Sequence, residues 1–355
     1  MKIKVLVVDD SALMRKMLKT LIESDPSFEV VETARDGEDA VEKARSIKPD
    51  IITMDVNMPK MDGLTAVQII VGEAIAPVVV VSSLTQEGSV TAFEALELGA
   101  FDYVPKPGGT VSLNLTAVRE ELIQKLKAAY VASRNTRVMR RLSLSRRKTR
   151  ITTPKKGIPK KGVKLDFHAV AIGISTGGPK TIYDVLPLLP ENLNAAVFLV
   201  QHMPPGFTAQ YAQRLDLYCK MKVVEASDGM NVVPGVVYVG KSGFHLKLRS
   251  GDGNLKIWLS RVPKHMFMPS VDVMMESVLQ YFGKKTIGVL MTGMGDDGAD
   301  SMVKIREHGG FTIAESEETA IVFGMPAEAI KRNGANTVLP SHRIASQVVR
   351  KVGVR

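Results

Sequence analysis

Three side chains that together can catalyse acyl transfer follow three apolar runs in the second half of the chain. Ser175 lies in Gly-Ile-Ser-Thr-Gly, which fits the nucleophile-elbow pattern G-x-S-x-G. His202 lies in Gln-His-Met-Pro, and Asp296 and Asp297 lie in Thr-Gly-Met-Gly-Asp-Asp-Gly. A serine becomes a strong nucleophile only beside a base that a third group orients. The segments predict a Ser–His–Asp triad with either aspartate as the acid, and the glycine loop can aim a backbone N–H at an oxyanion.

Other interpretations of these segments remain. A glycine-rich turn after a strand often binds phosphate through backbone N–H groups, but Pro179 stands where a P-loop has its lysine. A plain structural turn is the third interpretation. Among the other histidines, His265 lies in a predicted loop and is the main rival to His202 as the base, whereas His245 and His308 look structural. The chain order Ser, His, Asp differs from that of α/β-hydrolases, so we expect a different sheet with the same chemistry.

Charged and polar side chains also end the apolar runs of the first half, namely Asp9, Asp10, Asp55, Ser82 and Lys106. Clustered carboxylates repel one another, and a hard cation such as Mg²⁺ relieves the repulsion. Asp55 can then attack a phosphoryl donor and form an acyl phosphate, whose oxygens Ser82 and Lys106 would hold. The alternative is that these residues merely cap the following helices. Five such residues at four strand ends favour the phosphoryl site.

Short apolar runs alternate with amphipathic segments in both halves of the chain, a pattern typical of parallel sheets covered by helices. Residues at the carboxyl ends of such strands face one functional crevice. We predict an α/β fold with an N-terminal five-stranded parallel doubly wound domain and a C-terminal doubly wound α/β hydrolytic domain. The predicted strands are Val5–Val8, Val30–Val31, Ile51–Met54, Val78–Val81 and Phe101–Val104, then Ala169–Ile174, Ala195–Val200 and Ile287–Met291.

The net charge of +10 over 355 residues is concentrated in one segment. Residues 134–164 hold 13 Lys and Arg and no acid, whereas residues 1–133 carry a net −6. Such a segment cannot bury enough apolar surface to offset its ordering entropy. We interpret it as a solvated spacer rather than a nucleic-acid or membrane contact, because no aromatic residues interleave with the charges. The predicted organisation is a domain at 1–127, a basic linker at 128–163 and a catalytic domain at 164–355.

Composition excludes several classes of protein. No apolar run approaches the roughly 18 residues of a membrane helix, and the N-terminus lacks the features of a secretory signal. The single cysteine, Cys219, excludes an internal disulfide or a multi-cysteine metal site. We therefore expect a soluble, cytoplasmic protein without direct membrane insertion.

Residues 1–125 resemble a response-regulator receiver domain. The matching segments are Val-Val-Asp-Asp-Ser at Asp9 and Asp10, Asp-Val-Asn-Met-Pro from Asp55, and Lys-Pro at Lys106. The resemblance implies that Asp55 accepts a phosphoryl group from a chemotaxis histidine kinase. It also implies a cis peptide bond before Pro107.

The same resemblance assigns further roles in this domain. It places Tyr103 at the aromatic switch position, which acts with Ser82 and Lys106. It also implies a Mg²⁺ site in the receiver domain, whose ligands are Asp10, Asp55 and the Asn57 carbonyl, with Asp9 nearby.

Residues 165–350 resemble the catalytic domain of chemotaxis protein-glutamate methylesterases, the CheB family. The motifs are Gly-Ile-Ser-Thr-Gly-Gly-Pro, Gln-His-Met-Pro, Met-Pro-Ser-Val-Asp, Thr-Gly-Met-Gly-Asp-Asp-Gly and Val-Phe-Gly-Met-Pro. The family pattern Gly-Met-Gly-x-Asp-Gly makes Asp297 the acid rather than Asp296. The resemblance further implies that Met294 supplies an oxyanion-hole N–H and that Thr176 lies beside the histidine, with no cofactor in this domain.

This chain departs from the family in two places. Met268 stands where the family often has a basic residue, and residues 239–244 lack a common proline-glycine loop. Neither departure touches the residues of the triad. They bear on substrate affinity rather than on the reaction.

The resemblance implies a phosphorylation-activated hydrolase of chemotactic adaptation. Ser175 would attack methyl-esterified glutamates of methyl-accepting chemoreceptors, and the same chemistry would deamidate glutamines. The unphosphorylated receiver would cover the triad. One alternative is a receiver-linked scaffold with an inactive hydrolase domain, which sequence does not exclude. A DNA-binding regulator is rejected, because the second domain is long, nearly neutral and α/β rather than small and basic.

Overall fold

The computed structural model describes residues 2–83, 86–107, 115–134 and 166–355. The chain divides into two compact units, residues 1–147 and 148–355. Residues 135–165, which include most of the predicted basic linker, are not among the described residues. Within the described residues, no helix combines the length and the apolar character that crossing a membrane requires.

The N-terminal unit is a parallel five-stranded sheet in the order β2-β1-β3-β4-β5. Its central strands are short Val/Ile runs that are buried on both faces, as expected when helices cover a sheet on both sides. The strands are β1 (Ile3–Val8), β2 (Phe28–Ala34), β3 (Ile51–Asp55), β4 (Val78–Ser82) and β5 (Asp102–Pro105). The helices are α1 (Ala12–Glu23), α2 (Gly37–Ile47), α3 (Gly63–Gly72), α4 (Gln86–Leu98) and α5 (Leu115–Ser133).

Three of these helices are capped by residues other than the carboxylates at the strand ends. The side chains of Ser11, Asp36 and Asp62 accept N–H groups in the first turns of α1, α2 and α3. The capping interpretation therefore does not account for the carboxylates of Asp10 and Asp55, which are left for other chemistry.

The C-terminal unit is built on a parallel seven-stranded sheet in the order β14-β13-β12-β6-β7-β9-β8, with a separate antiparallel hairpin β10–β11. The strands are β6 (His168–Ile174), β7 (Ala195–Gln201), β8 (Lys222–Glu225), β9 (Val236–Val239), β10 (His245–Gly251), β11 (Asn254–Ser260), β12 (Thr286–Leu290), β13 (Phe311–Glu315) and β14 (Thr337–Leu339). The α-helices are α6 (Gly178–Thr181), α7 (Phe207–Tyr218), α8 (Val271–Phe282), α9 (Ala299–Glu307), α10 (Met325–Lys331) and α11 (Ser341–Val352).

The order of this sheet reverses at β6. The chain proceeds from β6 to β7 on one side, and β12 later returns to pair with β6 on the other side. In open α/β sheets ligands bind beyond the carboxyl ends of the strands at such a reversal. Helix α8 packs across this region, and its Phe282 contacts Phe167 and Phe198 in one aromatic core cluster.

The predicted α/β fold class is confirmed in both units. Each predicted strand overlaps an observed one, with ends that differ by a few residues. Helix α5 continues to Ser133, six residues past the predicted end of the first domain. The predicted cis bond before Pro107 is wrong, because the cis peptide bonds of the described residues precede Pro263 and Pro269.

Candidate active site

Ser175 projects from the sharp turn that follows strand β6. Within residues 169–179, all of which the structure describes, Ser175 alone is not fully buried. Its N–H donates to the Thr292 carbonyl beyond β12 at 2.9 Å, and the turn closes as the Gly178 N–H donates to the Ser175 carbonyl at 2.8 Å. The buried neighbours fix the backbone while the hydroxyl stays accessible, which is what an elbow for a nucleophile requires.

His202 follows strand β7 and contacts the serine directly. Its Nδ1 lies 3.1 Å from the Ser175 Oγ, and its Nε2 lies 2.8 Å from the Asp297 Oδ2. The carboxylate can only accept, so the ring proton belongs on Nε2 and Nδ1 is free to accept the serine proton. The three groups form one hydrogen-bonded chain at the ends of β6, β7 and β12.

Asp297 is held by the N-terminus of helix α8 as well as by the histidine. Its Oδ1 accepts the Ser270 hydroxyl at 2.8 Å and the Asp272 N–H at 3.0 Å. Its Oδ2 accepts the Val271 N–H at 2.7 Å in addition to His202. Four donors therefore surround one carboxylate, and two of them are backbone groups that a helix otherwise leaves unsatisfied.

This environment keeps Asp297 ionised. Burial alone would raise the pKa of Asp297, but the hydrogen bond and charge of His202, together with the N–H groups of Asp272 and Val271, lower that pKa well below its usual 3.8. A carboxylate of this kind orients and stabilises a protonated imidazole without taking its proton.

The neighbouring Asp296 points elsewhere. Its side chain is exposed. The guanidinium of Arg332 forms ion pairs with two carboxylates, with nitrogen–oxygen distances of 2.6 Å to Asp296 and 2.7 Å to Asp300. Of the two candidate acids, only Asp297 contacts His202.

The Gly-Met-Gly loop lies against the serine. The Gly293 N–H donates to the Val322 carbonyl at 3.0 Å, and its carbonyl accepts the Met325 N–H at 2.8 Å. A Cβ on Gly293 would lie 2.8 Å from the Ser175 Cβ, so this position has room only for glycine. The half-buried Met294, the predicted oxyanion donor, is one residue further on. Thr176 is buried, and its carbonyl accepts the Thr292 hydroxyl at 3.0 Å.

Several residues around the site were not predicted from the sequence. Gln201 Nε2 donates to the Ser175 carbonyl at 2.9 Å and to the His202 carbonyl at 3.2 Å. The Phe267 ring stacks on the His202 ring with centroids 4.1 Å apart and an interplanar angle of 9°. Gln201 and Ser270 belong to motifs that the sequence displays. Phe267 precedes one of these motifs, and nothing else in the sequence indicates that it lies in the site.

The rings of His245 and His265 form hydrogen bonds to groups other than the Ser175 hydroxyl. His245 is fully buried; its Nδ1 accepts the Ser270 N–H at 3.2 Å and its Nε2 donates to the Pro263 carbonyl at 2.8 Å. His265 is exposed, and its Nδ1 contacts the backbone of Phe267.

The carboxyl ends of β1 and β3 carry the second site. Ligand atoms of Asp9, Asp10 and Asp55 all lie within 4.8 Å of one another. The Lys106 Nζ lies 2.9 Å from the Asp9 Oδ2 and 2.8 Å from the Asp55 Oδ2. One ammonium offsets only one of three carboxylates, and oxygen ligands suit a hard divalent cation. Asn57 is exposed on the loop after Asp55.

Burial and ion pairing act in opposite directions on this cluster. Burial raises the pKa of Asp55, although the hydrogen bond and charge of Lys106 partly offset the effect. Burial would lower the pKa of Lys106, but its hydrogen bonds to Asp55 and Asp9 raise it instead. The ammonium is therefore firmly charged between the carboxylates of Asp9 and Asp55.

The predicted switch residues lie in the same unit. The buried Ser82 hydroxyl donates to the Gly88 carbonyl at 2.8 Å. Tyr103 is buried, with its ring edge-on to Phe93 at 6.0 Å and the Lys125 Nζ 4.9 Å from its centroid.

The fold and the two sites define a class: a response regulator whose receiver unit is joined to an α/β hydrolase unit. Residues 5–117 match the family model of the response regulator receiver domain, and residues 170–348 match that of CheB methylesterase. The chain therefore belongs to the CheB methylesterase family, as the sequence motifs predicted.

Named relatives agree with this assignment. A protein-glutamate methylesterase/protein-glutamine glutaminase 3 of Syntrophomonas wolfei is 59% identical over 353 residues, 99% of each chain. A protein of Caldanaerobacter subterraneus named protein-glutamate methylesterase/protein-glutamine glutaminase is 49% identical over 99% of this chain and 97% of its own. The crystal structure of the Thermotoga maritima CheB methylesterase catalytic domain is 40% identical with a TM-score of 0.52, covering 53% of this chain and 100% of that one.

Proposed function

We propose that this protein is a phosphorylation-activated protein-glutamate methylesterase and protein-glutamine glutaminase. The observation that carries the proposal is the hydrogen-bonded chain Ser175–His202–Asp297, in a unit that belongs to the methylesterase family. Such a chain supports acyl transfer from esters and amides.

In the first half-reaction the Ser175 Oγ attacks the side-chain carbonyl carbon of a methyl-esterified glutamate. The serine proton moves to the His202 Nδ1, which lies 3.1 Å away, while Asp297 stabilises the imidazolium through Nε2. The Met294 N–H is the proposed donor to the oxyanion of the tetrahedral intermediate. The intermediate collapses as the carbon–oxygen ester bond breaks, and the imidazolium gives its proton to the departing methoxide, which leaves as methanol.

In the second half-reaction water replaces methanol. His202 takes a proton from water, the hydroxide attacks the acyl-serine carbon, and the proton on His202 passes to the Ser175 Oγ as the carbon–oxygen bond to serine breaks. The product leaves as a glutamic acid side chain, which ionises by releasing its proton to solvent. A glutamine side chain follows the same path, except that ammonia is the first leaving group. Both substrates share the carbonyl and the tetrahedral geometry, so one site serves both.

The receiver unit supplies the control. Asp55 is the proposed phosphoryl acceptor, and Asp9, Asp10, Asp55 and the Asn57 carbonyl are the proposed surroundings of a Mg²⁺ ion. Bound there, Mg²⁺ would neutralise charge on the phosphoryl oxygens. Lys106 and Ser82 would hold two of these oxygens, and the movement of Ser82 and Tyr103 would release the catalytic unit.

The proposed substrates are methyl-accepting chemoreceptors, and the proposed phosphoryl source is a chemotaxis histidine kinase. Both follow from the family and from the names of the relatives. The reaction would take place in the cytoplasm and would give chemotactic adaptation.

The test is methanol release from membranes that contain methylated chemoreceptors, with and without Mg²⁺ and a small phosphodonor. We expect release that the phosphodonor stimulates, that Ser175→Ala abolishes and that Asp55→Ala leaves unstimulated. Ser346→Ala and Asp50→Ala are matched controls, because both side chains lie on the surface outside the two sites. Release by Ser175→Ala at the wild-type rate would contradict the assignment. No release by the wild-type protein would favour the receptor-binding scaffold.

A further inference from the structure

The residue that caps helix α8 contacts the acid of the proposed triad, and neither its presence in the motif Met-Pro-Ser-Val-Asp nor the chemistry of acyl transfer gives it a role. We infer that Ser270 is a positioning residue: its hydroxyl holds the carboxylate of Asp297 in the orientation that accepts the Nε2–H of His202. The inference rests on the proposed role of Ser175, His202 and Asp297 in the reaction.

The hydrogen bonds of Ser270 fix the direction of its hydroxyl proton. Ser270 is fully buried, and its Oγ lies 2.8 Å from the Asp297 Oδ1 and 3.3 Å from the Val273 N. The backbone N–H of Val273 can only donate, and an ionised carboxylate can only accept. The hydroxyl must therefore accept from the helix and donate to Asp297. It does both as the N-cap residue of α8.

The hydroxyl acts on the oxygen that does not touch the histidine. Oδ1 of Asp297 is anchored by Ser270 and by the Asp272 N–H, while Oδ2 faces the Val271 N–H and His202. Because the carboxylate is rigid and planar, anchoring Oδ1 fixes where Oδ2 points. Without the hydroxyl, Oδ1 keeps only the Asp272 N–H, so the carboxylate is held less tightly in the orientation that faces His202.

The backbone of Ser270 is held independently of its side chain. Its N–H donates to the His245 Nδ1 at 3.2 Å, and the other nitrogen of that ring donates to the Pro263 carbonyl at 2.8 Å. A substitution at Ser270 that removes only the hydroxyl thus leaves a second anchor on this turn. Such a substitution removes the bond to Asp297 and the cap of α8, so its effect on Asp297 is read against a control that separates the two.

Kinetics of the full chain give the first readout. With the phosphodonor present, we expect Ser270→Ala to lower kcat about 10- to 100-fold, the size of one lost hydrogen bond to a charged group. KM should stay near the wild-type value, because Ser270 is fully buried and its hydroxyl bonds to Asp297 and Val273. Ser270→Thr keeps the hydroxyl and should restore most of kcat. Ser277→Ala is the matched control, since it removes another buried serine hydroxyl of α8, which accepts from the Leu248 N–H.

A spectroscopic signature gives a second readout that needs no substrate. The proton on His202 Nε2 forms a hydrogen bond to the Asp297 Oδ2, with 2.8 Å between the nitrogen and the oxygen, and should give a downfield NMR signal in ¹⁵N-labelled protein. We expect Ser270→Ala to shift or broaden this signal, and Ser270→Thr and Ser277→Ala to retain it. If Ser270→Ala proves unstable, Ser270→Gly replaces it, because glycine is nearly as good an N-cap.

The two readouts separate the possible failures. An unchanged signal and an unchanged kcat in Ser270→Ala or Ser270→Gly would overturn the inference and leave Ser270 as a helix cap only. A wild-type protein that hydrolyses no ester would contradict the proposed function, whereas the NMR signal would still decide whether Ser270 orients Asp297.

Discussion

Replacing Asp297 with asparagine keeps the shape of the side chain and removes its charge, and the four surrounding donors decide the result. Val271 and Asp272 present backbone N–H groups that cannot reverse. The Ser270 hydroxyl can rotate, and His202 can change its tautomer. Whichever oxygen becomes the NH₂ group, one backbone N–H then faces another donor at about hydrogen-bond distance.

Each orientation of the amide has its own cost. With NH₂ toward His202, the proton of the ring moves to Nδ1, which faces the Ser175 Oγ and can no longer accept its proton. With NH₂ toward Asp272, the tautomer survives, but the partly buried N–H of Asp272 loses its acceptor at a cost of about 1–3 kcal/mol. In both cases the imidazolium loses the carboxylate that stabilises it.

We therefore expect Asp297→Asn to lower kcat by about 10⁴-fold, the size found when a Ser-His-Asp triad loses its acid to asparagine. We expect the free energy of unfolding to fall by about 1–3 kcal/mol, since one buried N–H is left without an acceptor. Methanol release under phosphodonor stimulation measures the first quantity, and urea denaturation measures the second.

The neighbouring aspartate provides the control. Asp296→Asn removes an exposed carboxylate that pairs with Arg332 and does not contact His202, so kcat should change less than about twofold. A folded Asp297→Asn protein with kcat within tenfold of wild type would refute the reasoning. So would an equal loss in Asp296→Asn, because the acid would then act through the charge of the loop and not through its contact with the ring.

Three further predictions concern other contacts. Phe267→Ala removes the ring stacked on His202 and should lower kcat about 2- to 10-fold at saturating ester, whereas Phe267→Tyr should retain the rate. Burial lowers the pKa of His245 below its usual 6.5, so as the pH drops the histidine takes up a proton in the unfolded chain before it does so in the folded protein. The free energy of unfolding should therefore fall as the pH drops below about 6.5. In urea midpoints measured from about pH 7.5 to 5.5, His245→Gln should reduce this dependence on pH. Lys106→Met removes the cation between Asp9 and Asp55 and should reduce the ratio of methanol release with and without the phosphodonor.

The fold and the strand-end residues could be predicted because parallel strands give continuous apolar runs with clear ends. A polar residue directly after such a run lies at the edge of the sheet where ligands bind. The rule predicts that Ser175 and His202 lie near one another and that carboxylates gather around Asp55, and the structure shows both. It does not by itself choose His202 over His265 as the base.

Hydrophobic periodicity could not show which of the two aspartates is the acid. Asp296 and Asp297 are adjacent residues after the same strand, and the local backbone conformation decides which side chain enters the site. Gly298, at φ +96°, is the N-cap residue of helix α9, and the preceding Asp297 is buried, while Arg332 holds Asp296 at the surface. The family motif, and not the hydrophobic pattern, predicted the acid.

The contacts of helix α8 were also beyond sequence reasoning. Ser270 lies 27 residues from Asp297, and its motif gives no sign of which strand end it approaches. Phe267 lies in an irregular loop, where neither helical nor strand periodicity indicates the direction of a side chain. Long-range contacts of this kind depend on how a helix packs against a sheet, which local patterns do not encode.

In the proposed mechanism, folding and catalysis depend on the same hydrogen bonds of Asp297. A helix N-terminus leaves backbone N–H groups without partners, and in α8 those of Val271 and Asp272 are satisfied by the triad acid. The partial positive charge of that terminus also favours the ionised form of the carboxylate. The helix therefore holds the acid charged and oriented before any substrate binds, and the acid in turn completes the first turn of the helix. Variants that disturb the N-terminus of α8 should consequently lose stability and kcat together. Ser175 takes no part in the hydrogen bonds between α8 and Asp297, so its variants should lose kcat alone.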